Sequence, residues 1–201
     1  MIWFEPPSQM IGWGYTAPTV LDDTMIDFVT SYADEHDSLF QSGEIWDKGN
    51  EPGNSIEKGY RRSNIMFLTD MDYFRNLYNH IIETVLNVNN THFKYALNYL
   101  EPLQYSVYES ANLGYYDIHT DSYLRNTSGF IRKVSFSILL DDPADFEGGD
   151  FLVHATQEPV KIEIQKGDIF LFPSFVPHSV TPVTKGVRRA LVGWVCGPNF
   201  V

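Results

Sequence analysis

The stretch from Tyr115 to Asp121 carries a pair of side chains that could do metal chemistry, His119 and Asp121. If the stretch forms a β-strand, side chains two residues apart point to the same face. An imidazole nitrogen and a carboxylate oxygen could then bind one metal ion together. The pair is not decisive alone. With 6 histidines and 26 acidic residues in 201, about 0.8 such pairs are expected by chance, and a polar surface strand is the alternative.

A third ligand for the same ion is predicted at His178. A hydrophobic strand ends at Pro173, a short turn follows, and His178 opens the next strand. Together with His119 and Asp121 it would form a set of two histidines and one carboxylate, which is typical of non-haem Fe(II) with open coordination positions. His154 could also reach a metal, although a surface position at the end of a strand is the favoured interpretation.

An arginine follows His178 at a distance of ten residues. On a predicted strand, Arg188 shares a face with Trp194 and would point into an apolar cavity, where a cation needs an anionic partner. No acid lies at matching spacing on the same strand. A bound dicarboxylate would satisfy the guanidinium, which binds carboxylates through two parallel hydrogen bonds. The neighbouring Arg189 lies on the other face and fits a surface salt bridge.

The composition sets limits on class and partners. The length of 201 residues fits one domain, and the apolar fraction of 43% is that of an ordinary globular protein. A net charge of -12 argues against nucleic acid held by its phosphates and against anionic membrane surfaces. The N-terminus resembles no signal peptide, and no apolar run is long enough to span a membrane. We therefore expect a cytoplasmic protein, of bacterial or viral origin. Its one cysteine, Cys196, cannot form an internal disulfide.

The first half of the chain is predicted to be helical. Apolar residues recur at helical spacing over residues 22–35 and 71–88, the second helix being capped by Asp70. Residues 37–60 are polar and glycine-rich and are interpreted as a loop that serves as a lid, with a disordered segment as the alternative. A short strand is predicted over residues 61–68.

The second half is predicted to be a succession of short strands, which is typical of a sandwich or barrel. The predicted strands cover residues 93–99, 103–109, 115–119, 132–140, 150–154, 159–164, 168–172, 178–180 and 188–195. The expected fold is α+β, with a helical part over residues 1–92 packed outside a β core over residues 93–201, in a single domain.

The motifs of the second half occur in the order seen in a known family. They are Gln104-Tyr105-Ser106-Val107-Tyr108, Tyr115-Tyr116-Asp117-Ile118-His119-Thr120-Asp121, Arg132-Lys133-Val134-Ser135, Phe146-Glu147-Gly148-Gly149-Asp150-Phe151, Phe172-Pro173-Ser174, His178-Ser179-Val180 and Gly186-Val187-Arg188. In this order they resemble the 2-oxoglutarate/Fe(II)-dependent dioxygenases, and within them the prolyl 4-hydroxylase-like (PKHD-type) group. The resemblance covers residues 100–197, about half of the chain.

The resemblance implies a double-stranded β-helix (jelly-roll) core and a set of site residues. Fe(II) would be held by His119, Asp121 and His178. 2-Oxoglutarate would bind the iron and place its far carboxylate on Arg188, with Tyr108 as a further contact. Molecular oxygen would be the second co-substrate and ascorbate a reductant. Animal collagen-type enzymes usually carry lysine in place of the arginine, so the match is to other branches. The family's second partner for the far carboxylate stays open.

The implied reaction is hydroxylation of an unactivated C–H bond with release of succinate and CO2. A prolyl residue of a peptide or protein is the first expectation for the substrate, and a free amino acid or another small molecule is the alternative. Tyr116, Tyr123 and Arg62 flank the site and are predicted substrate contacts. Two rival classes are a non-catalytic jelly-roll module that binds a metal or ligand, and a zinc hydrolase built on the same three ligands.

Overall fold

The computed structural model describes residues 13–43, 60–122 and 129–200. Two α-helices precede most of the strands, α1 (Asp23–Glu35) and α2 (Arg75–Val88). The strands of the described residues are β1 (Tyr15–Ala17), β2 (Gln41–Ser42), β3 (Arg61–Arg62), β4 (Asn64–Leu68), β5 (Tyr99–Leu100), β6 (Leu103–Glu109), β7 (Tyr115–His119), β8 (Phe130–Leu139), β9 (Glu147–Gly148), β10 (Phe151–Val153), β11 (Val160–Lys161), β12 (Ile169–Pro173), β13 (His178–Val180), β14 (Val183–Lys185) and β15 (Val187–Pro198).

Most strands belong to two antiparallel sheets. The major sheet has eight strands, in the order β1-β12-β8-β15-β6-β4-β2 with β5 paired to β15, and the minor sheet has five, in the order β11-β10-β13-β7-β3. Apolar side chains of both sheets meet in one cluster between them, among them Leu139 and Phe172 from the major sheet and Phe151 and Val180 from the minor sheet. This is the double-stranded β-helix architecture that the resemblance implies.

The helices pack outside this core, on the other face of the major sheet. Helix α1 begins after Asp22, whose carboxylate accepts a hydrogen bond from the backbone N–H of Met25 at 2.8 Å. Its apolar stripe and that of α2 bury against strand residues such as Phe136 and Leu191. Because side chains alternate along a strand, the major sheet has one face for the helices and one for the interior between the sheets.

Two predicted boundaries are wrong. Helix α2 begins at Arg75 rather than at residue 71, because Asp70 closes a separate turn by accepting from the backbone N–H groups of Tyr73 and Phe74. Residues 93–98 do not form a strand, and only Tyr99 of the predicted strand is in one, as the first residue of β5. A π-helical turn over Asn89–Phe93 extends α2 and ends at Lys94, which is left-handed at φ 58°.

Other segments are shorter or more broken than predicted. The strand expected over residues 61–68 divides at Ser63, so that β3 pairs with β7 in the minor sheet and β4 with β6 in the major sheet. The strand expected over residues 159–164 is reduced to β11. Within the predicted loop 37–60, residues 37–39 form a short 3-10 turn and β2 follows. The rest of the proposed lid, residues 44–59, lies outside the described residues. Within the described ranges, no helix is long and apolar enough to cross a membrane.

Candidate metal centre

Three potential metal ligands meet between the two sheets. Strand β7 ends at His119 and β13 begins at His178, and these two residues pair directly across the minor sheet. Asp121 follows β7 by two residues. Nε2 of His119 lies 3.7 Å from Oδ1 of Asp121, and Nε2 of His178 lies 3.5 Å from Oδ2. The ligand atoms of the three residues all lie within 4.8 Å of one another.

The hydrogen bonds of the two imidazoles involve Nδ1 and leave Nε2 available to bind a metal. Nδ1 of His119 lies 2.8 Å from the carbonyl oxygen of Asp117, and Nδ1 of His178 lies 3.0 Å from that of Val176. A carbonyl oxygen can only accept, so each Nδ1 carries the proton and donates. Each Nε2 then keeps its lone pair directed at Asp121. Metal-binding histidines are typically oriented in this way by their second nitrogen.

The electrostatics favour a neutral His119 beside an ionised Asp121. Burial, and then the neighbouring His178, lower the pKa of His119 to about 3. Burial alone would raise the pKa of Asp121, but the two histidines and Arg132 bring it below its usual value. Histidines bind a metal as neutral imidazoles, so the three ligands together would offer one negative charge, which suits a divalent cation.

The turn between β12 and β13 holds the carboxylate ligand in place. The backbone N–H groups of Asp121 and Ser122 donate to the carbonyl oxygen of Ser174 at 2.9 and 3.0 Å. The Ser174 hydroxyl is itself bonded to that of Ser135 on β8, at 2.9 Å. The ligand is thus tied through this turn to the major sheet, although it lies beyond the end of its own strand.

Aromatic rings cover both imidazoles. The ring of Tyr116 stacks on His119 with centroids 3.4 Å apart and planes 5° from parallel, and Cζ of Arg61 lies 4.4 Å from the centre of the same tyrosine ring. Phe151 stacks on His178 with centroids 5.4 Å apart. These contacts restrict rotation of the imidazoles and keep water from the ligand atoms.

The stack of Tyr116 on His119 could not be anticipated from regular alternation. Residues three apart in a strand point to opposite faces. Here the register of β7 against β13 shifts, since His119 pairs with His178 but Tyr116 pairs with Val180. The bulge turns Tyr116 to the side of the metal ligands. The residue types of β7 alone do not indicate such a bulge, because it is defined by the pairing with β13.

Arg188 is buried in the interior between the sheets without an anionic partner among the described residues. The residue is only 2% exposed, and no carboxylate of the described residues lies within ion-pairing distance. Cζ lies 5.7 Å from the ring centre of Tyr108, its partner in register on β6. Burial lowers the pKa of the guanidinium, although it remains a cation at neutral pH. Arg189 instead binds Asp141 at 2.8 Å on the other face, as predicted.

Gly149 lets the chain pass close to this arginine. The residue has φ 66°, a conformation that favours glycine, and a β-carbon at this position would lie 2.7 Å from Cδ of Arg188. Phe151, two residues later, stacks on His178. The turn at Gly149 thus contacts Arg188, and the strand that follows it contacts His178. Both side chains therefore face the same interior.

The remaining predicted residues lie outside the three-residue cluster. Arg62 is exposed on β3 and donates to the carbonyl oxygen of Asn112 at 3.2 Å. Tyr123 falls outside the described residues. His154 points away from the interior, and its Nε2 lies 2.8 Å from the hydroxyl of Ser179. This agrees with the interpretation of His154 as a residue at the end of a strand.

Comparison with known proteins finds similarity to the same family over the core. Residues 103–196 match the family profile described as 2OG-Fe(II) oxygenase superfamily. A PKHD-type hydroxylase of Prochlorococcus marinus is 38% identical over 80 residues, which are 40% of this chain and 35% of that protein. A PKHD-type hydroxylase of Aliarcobacter butzleri is 32% identical over 134 residues, which are 64% of this chain and 58% of the relative. The chain therefore spans between about a third and three fifths of the length of these relatives.

Solved structures share the fold at low sequence identity. A prolyl-4-hydroxylase of Pseudomonas putida superposes with a TM-score of 0.69 at 17% identity, covering 92% of each chain. A prolyl hydroxylase of Trichoplax adhaerens, solved with a hypoxia inducible factor oxygen degradation domain peptide fragment, gives a TM-score of 0.69 at 18% identity, covering 92% of this chain and 84% of the other. The likeness shows the double-stranded β-helix fold with helices outside.

Proposed function

We propose that this chain, whose residues 103–196 match the profile of the 2OG-Fe(II) oxygenase superfamily, is a dioxygenase that hydroxylates a prolyl residue of a peptide or protein. One observation carries the proposal. The same enclosed interior contains a three-residue metal-ligand set and a buried arginine with no carboxylate partner among the described residues. A metal centre alone would give Arg188 no role, and an anion site alone would not account for the converging imidazoles.

The donor set fits Fe(II). His119 and His178 present free Nε2 atoms, and Asp121 supplies a carboxylate oxygen. Two imidazoles and one carboxylate occupy one side of an ion and leave the other positions open, a set typical of non-haem Fe(II) oxygenases. When bound, Fe(II) would supply the activation of oxygen and the oxidative decarboxylation of 2-oxoglutarate to succinate and CO2.

The protein residues would bind and orient the co-substrate. Arg188 would receive the far carboxylate of 2-oxoglutarate through two parallel hydrogen bonds. Tyr108 lies beside it at 3% exposure and would donate its hydroxyl to the same end of the molecule. The second partner for that carboxylate would come from β8. Ser137, which pairs with Val192 and lies on the interior face of that strand, is a candidate.

The protein residues would also exclude water. Phe151 and Phe172 pack against His178, and Tyr116 covers His119. A dry interior strengthens the attraction between the arginine and the dicarboxylate. It also protects reactive species from unproductive reactions with solvent.

The proposed substrate is supported by the structural neighbours and by the rim of the site. The Pseudomonas putida neighbour is a prolyl-4-hydroxylase, and the Trichoplax adhaerens neighbour was solved with a peptide. On this chain, Tyr116, Arg61 and Arg62 form an edge beside His119, where an extended peptide would lie. Tyr123 is proposed as a further contact.

The test is succinate formation with Fe(II), 2-oxoglutarate and ascorbate, in air and without oxygen, with and without a library of proline-containing peptides. Oxygen-dependent turnover that rises with a peptide, and a mass gain of one oxygen in that peptide, supports the proposal. Turnover that no peptide stimulates would keep the dioxygenase and redirect the search to free amino acids or other small molecules. Absence of both turnover and 2-oxoglutarate binding would favour a non-catalytic binding module. The Asp121→Ala variant is the matched inactive control.

A further inference from the structure

One buried polar atom has no hydrogen-bond partner among the described residues, the indole nitrogen Nε1 of Trp194. The residue is only 7% exposed. An indole N–H can only donate, and leaving a buried donor unpaired costs about 1–3 kcal/mol. Buried polar groups in native proteins are almost always paired, so this one requires an explanation.

The backbone topology puts Trp194 on the same face as the metal site. On β15 it shares that face with Arg188, and it pairs in register with Ser135 on β8. The hydroxyl of Ser135 bonds to Ser174, whose carbonyl oxygen holds the backbone N–H of Asp121. The free donor and the carboxylate ligand are therefore neighbours.

A second set of contacts clamps the indole ring. Cζ of Arg132 lies 3.9 Å from the ring centre. Arg132 is held by the carboxylate of Glu101, with Nε at 3.0 Å from Oε1 and Nη2 at 2.6 Å from Oε2. The backbone N–H of Glu101 in turn donates to the carbonyl oxygen of Trp194 at 2.9 Å. A register shift after Val195 brings Arg132 over the ring.

We propose that Trp194 is a positioning residue for Asp121, and that its N–H donates to the carboxylate oxygen that does not bind the metal. The donor would keep Asp121 a ligand through one oxygen and leave the open positions to the co-substrates. The cation of Arg132 over the ring draws electron density from the indole and makes its N–H a stronger donor. The proposal rests on the metal site of the proposed function.

The test compares Mn(II) and Co(II) affinity of the wild type and the Trp194→Phe variant by calorimetry. Phenylalanine keeps a ring beneath Arg132 and removes the N–H. The expected result is an affinity about 10–100-fold weaker, the usual effect of losing an outer partner of a metal ligand, together with a change in the visible spectrum of bound Co(II). The Trp13→Phe variant, at an exposed tryptophan, should bind as the wild type does.

Melting temperatures without metal separate positioning from a merely structural role. A variant that melts lower but binds both ions as tightly as the wild type, with the same Co(II) spectrum, overturns the proposal and leaves the proposed function intact. A wild type that binds neither ion overturns both. If Trp194→Phe does not fold, the wild type labelled with 15N in tryptophan provides the measurement. The indole resonance of Trp194 should move downfield when Zn(II) is added, and an unchanged resonance overturns the proposal.

Discussion

The substitution Arg188→Met should have two opposite effects, on stability and on co-substrate affinity. Methionine has a similar length and no charge, and the arginine is buried without a carboxylate partner among the described residues. Replacing buried ionic groups by apolar ones is often stabilising, by about 1–4 kcal/mol. Taking about 1–2 kcal/mol, and about 2–4 °C per kcal/mol for a domain of this size, we expect the ligand-free variant to melt about 2–8 °C higher than the wild type.

The same change should nearly abolish 2-oxoglutarate binding. Removing one member of a buried charge pair costs about 2–5 kcal/mol, which corresponds to a loss of affinity of about 30-fold to 4,000-fold. In the presence of Mn(II), 2-oxoglutarate at about 100 times its dissociation constant stabilises the wild type by about 2.7 kcal/mol. That is a rise in melting temperature of about 5–11 °C. The variant should show almost no rise at the same concentration.

Thermal unfolding of the two proteins with and without 2-oxoglutarate measures both effects. Arg189→Met is the matched control, because this neighbour on β15 binds Asp141 on the opposite face. The control should lose stability and keep the full response to 2-oxoglutarate. An Arg188→Met protein that melts lower than the wild type and still responds to 2-oxoglutarate would refute the reasoning, since it would make Arg188 a paired structural residue.

Three further predictions concern single positions. His178→Ala should weaken Mn(II) binding by more than about 100-fold, the upper limit for outer partners of a ligand, whereas His154→Ala should leave it unchanged; calorimetry measures both. Gly149→Ala and Gly129→Ala each force a β-carbon into a positive φ, at about 1–2 kcal/mol each. Only Gly149→Ala also displaces the neighbouring arginine, so only that variant should lose affinity for 2-oxoglutarate in a titration. Burial, with a hydrogen bond to a neighbouring carboxylate, raises the pKa of the Cys196 thiol to about 11. At about pH 8 the thiolate is scarce, so a thiol reagent should modify Cys196 only after denaturant unfolds the chain, and rapid labelling of the folded protein would contradict this.

The sequence was sufficient for features that depend on local periodicity. Strands β6, β7 and β13 have the predicted ends, and α1 begins one residue after its capping aspartate. His119 and Asp121 are near each other in sequence, and His178 stands at a recognisable junction of a strand and a turn. The sequence also indicated that Arg188 and Arg189 point to opposite faces, because successive side chains alternate along a strand such as β15.

Features that depend on irregular pairing were not predictable. The bulge that turns Tyr116 onto His119 follows from the register of β7 with β13, two strands separated by about sixty residues of chain. The clamp on Trp194 likewise needs a register shift in the pairing of β15 with β8 and a carboxylate from Glu101. Neither shift leaves a mark in composition or periodicity. The false strand over residues 93–99 arose because an aromatic-rich segment has strand propensity, while the side chain of Asn89 bonds the backbone of Tyr95 and fixes a turn.

The charges of the interior imply that metal and 2-oxoglutarate bind cooperatively. As metal ligands the imidazoles are neutral and Asp121 contributes one negative charge, while the buried Arg188 contributes one positive charge. The interior is therefore neutral when empty. It gains two positive charges with the metal alone and two negative charges with the dicarboxylate alone, and it is neutral again with both. Because net charge is costly in a dry interior, each ligand should favour the other.

The size of this coupling can be measured in two ways that must agree. Coupling between sites is reciprocal and typically about 1–3 kcal/mol, or about 5–150-fold. Calorimetric titration of 2-oxoglutarate with and without Mn(II), and of Mn(II) with and without 2-oxoglutarate, should give the same factor. In Arg188→Met the metal no longer meets the repulsion of a buried arginine, so Mn(II) alone should bind at least as tightly as in the wild type while the coupling falls. Independent binding of the two ligands to the wild type would mean that Arg188 and the metal ligands do not act on one shared interior.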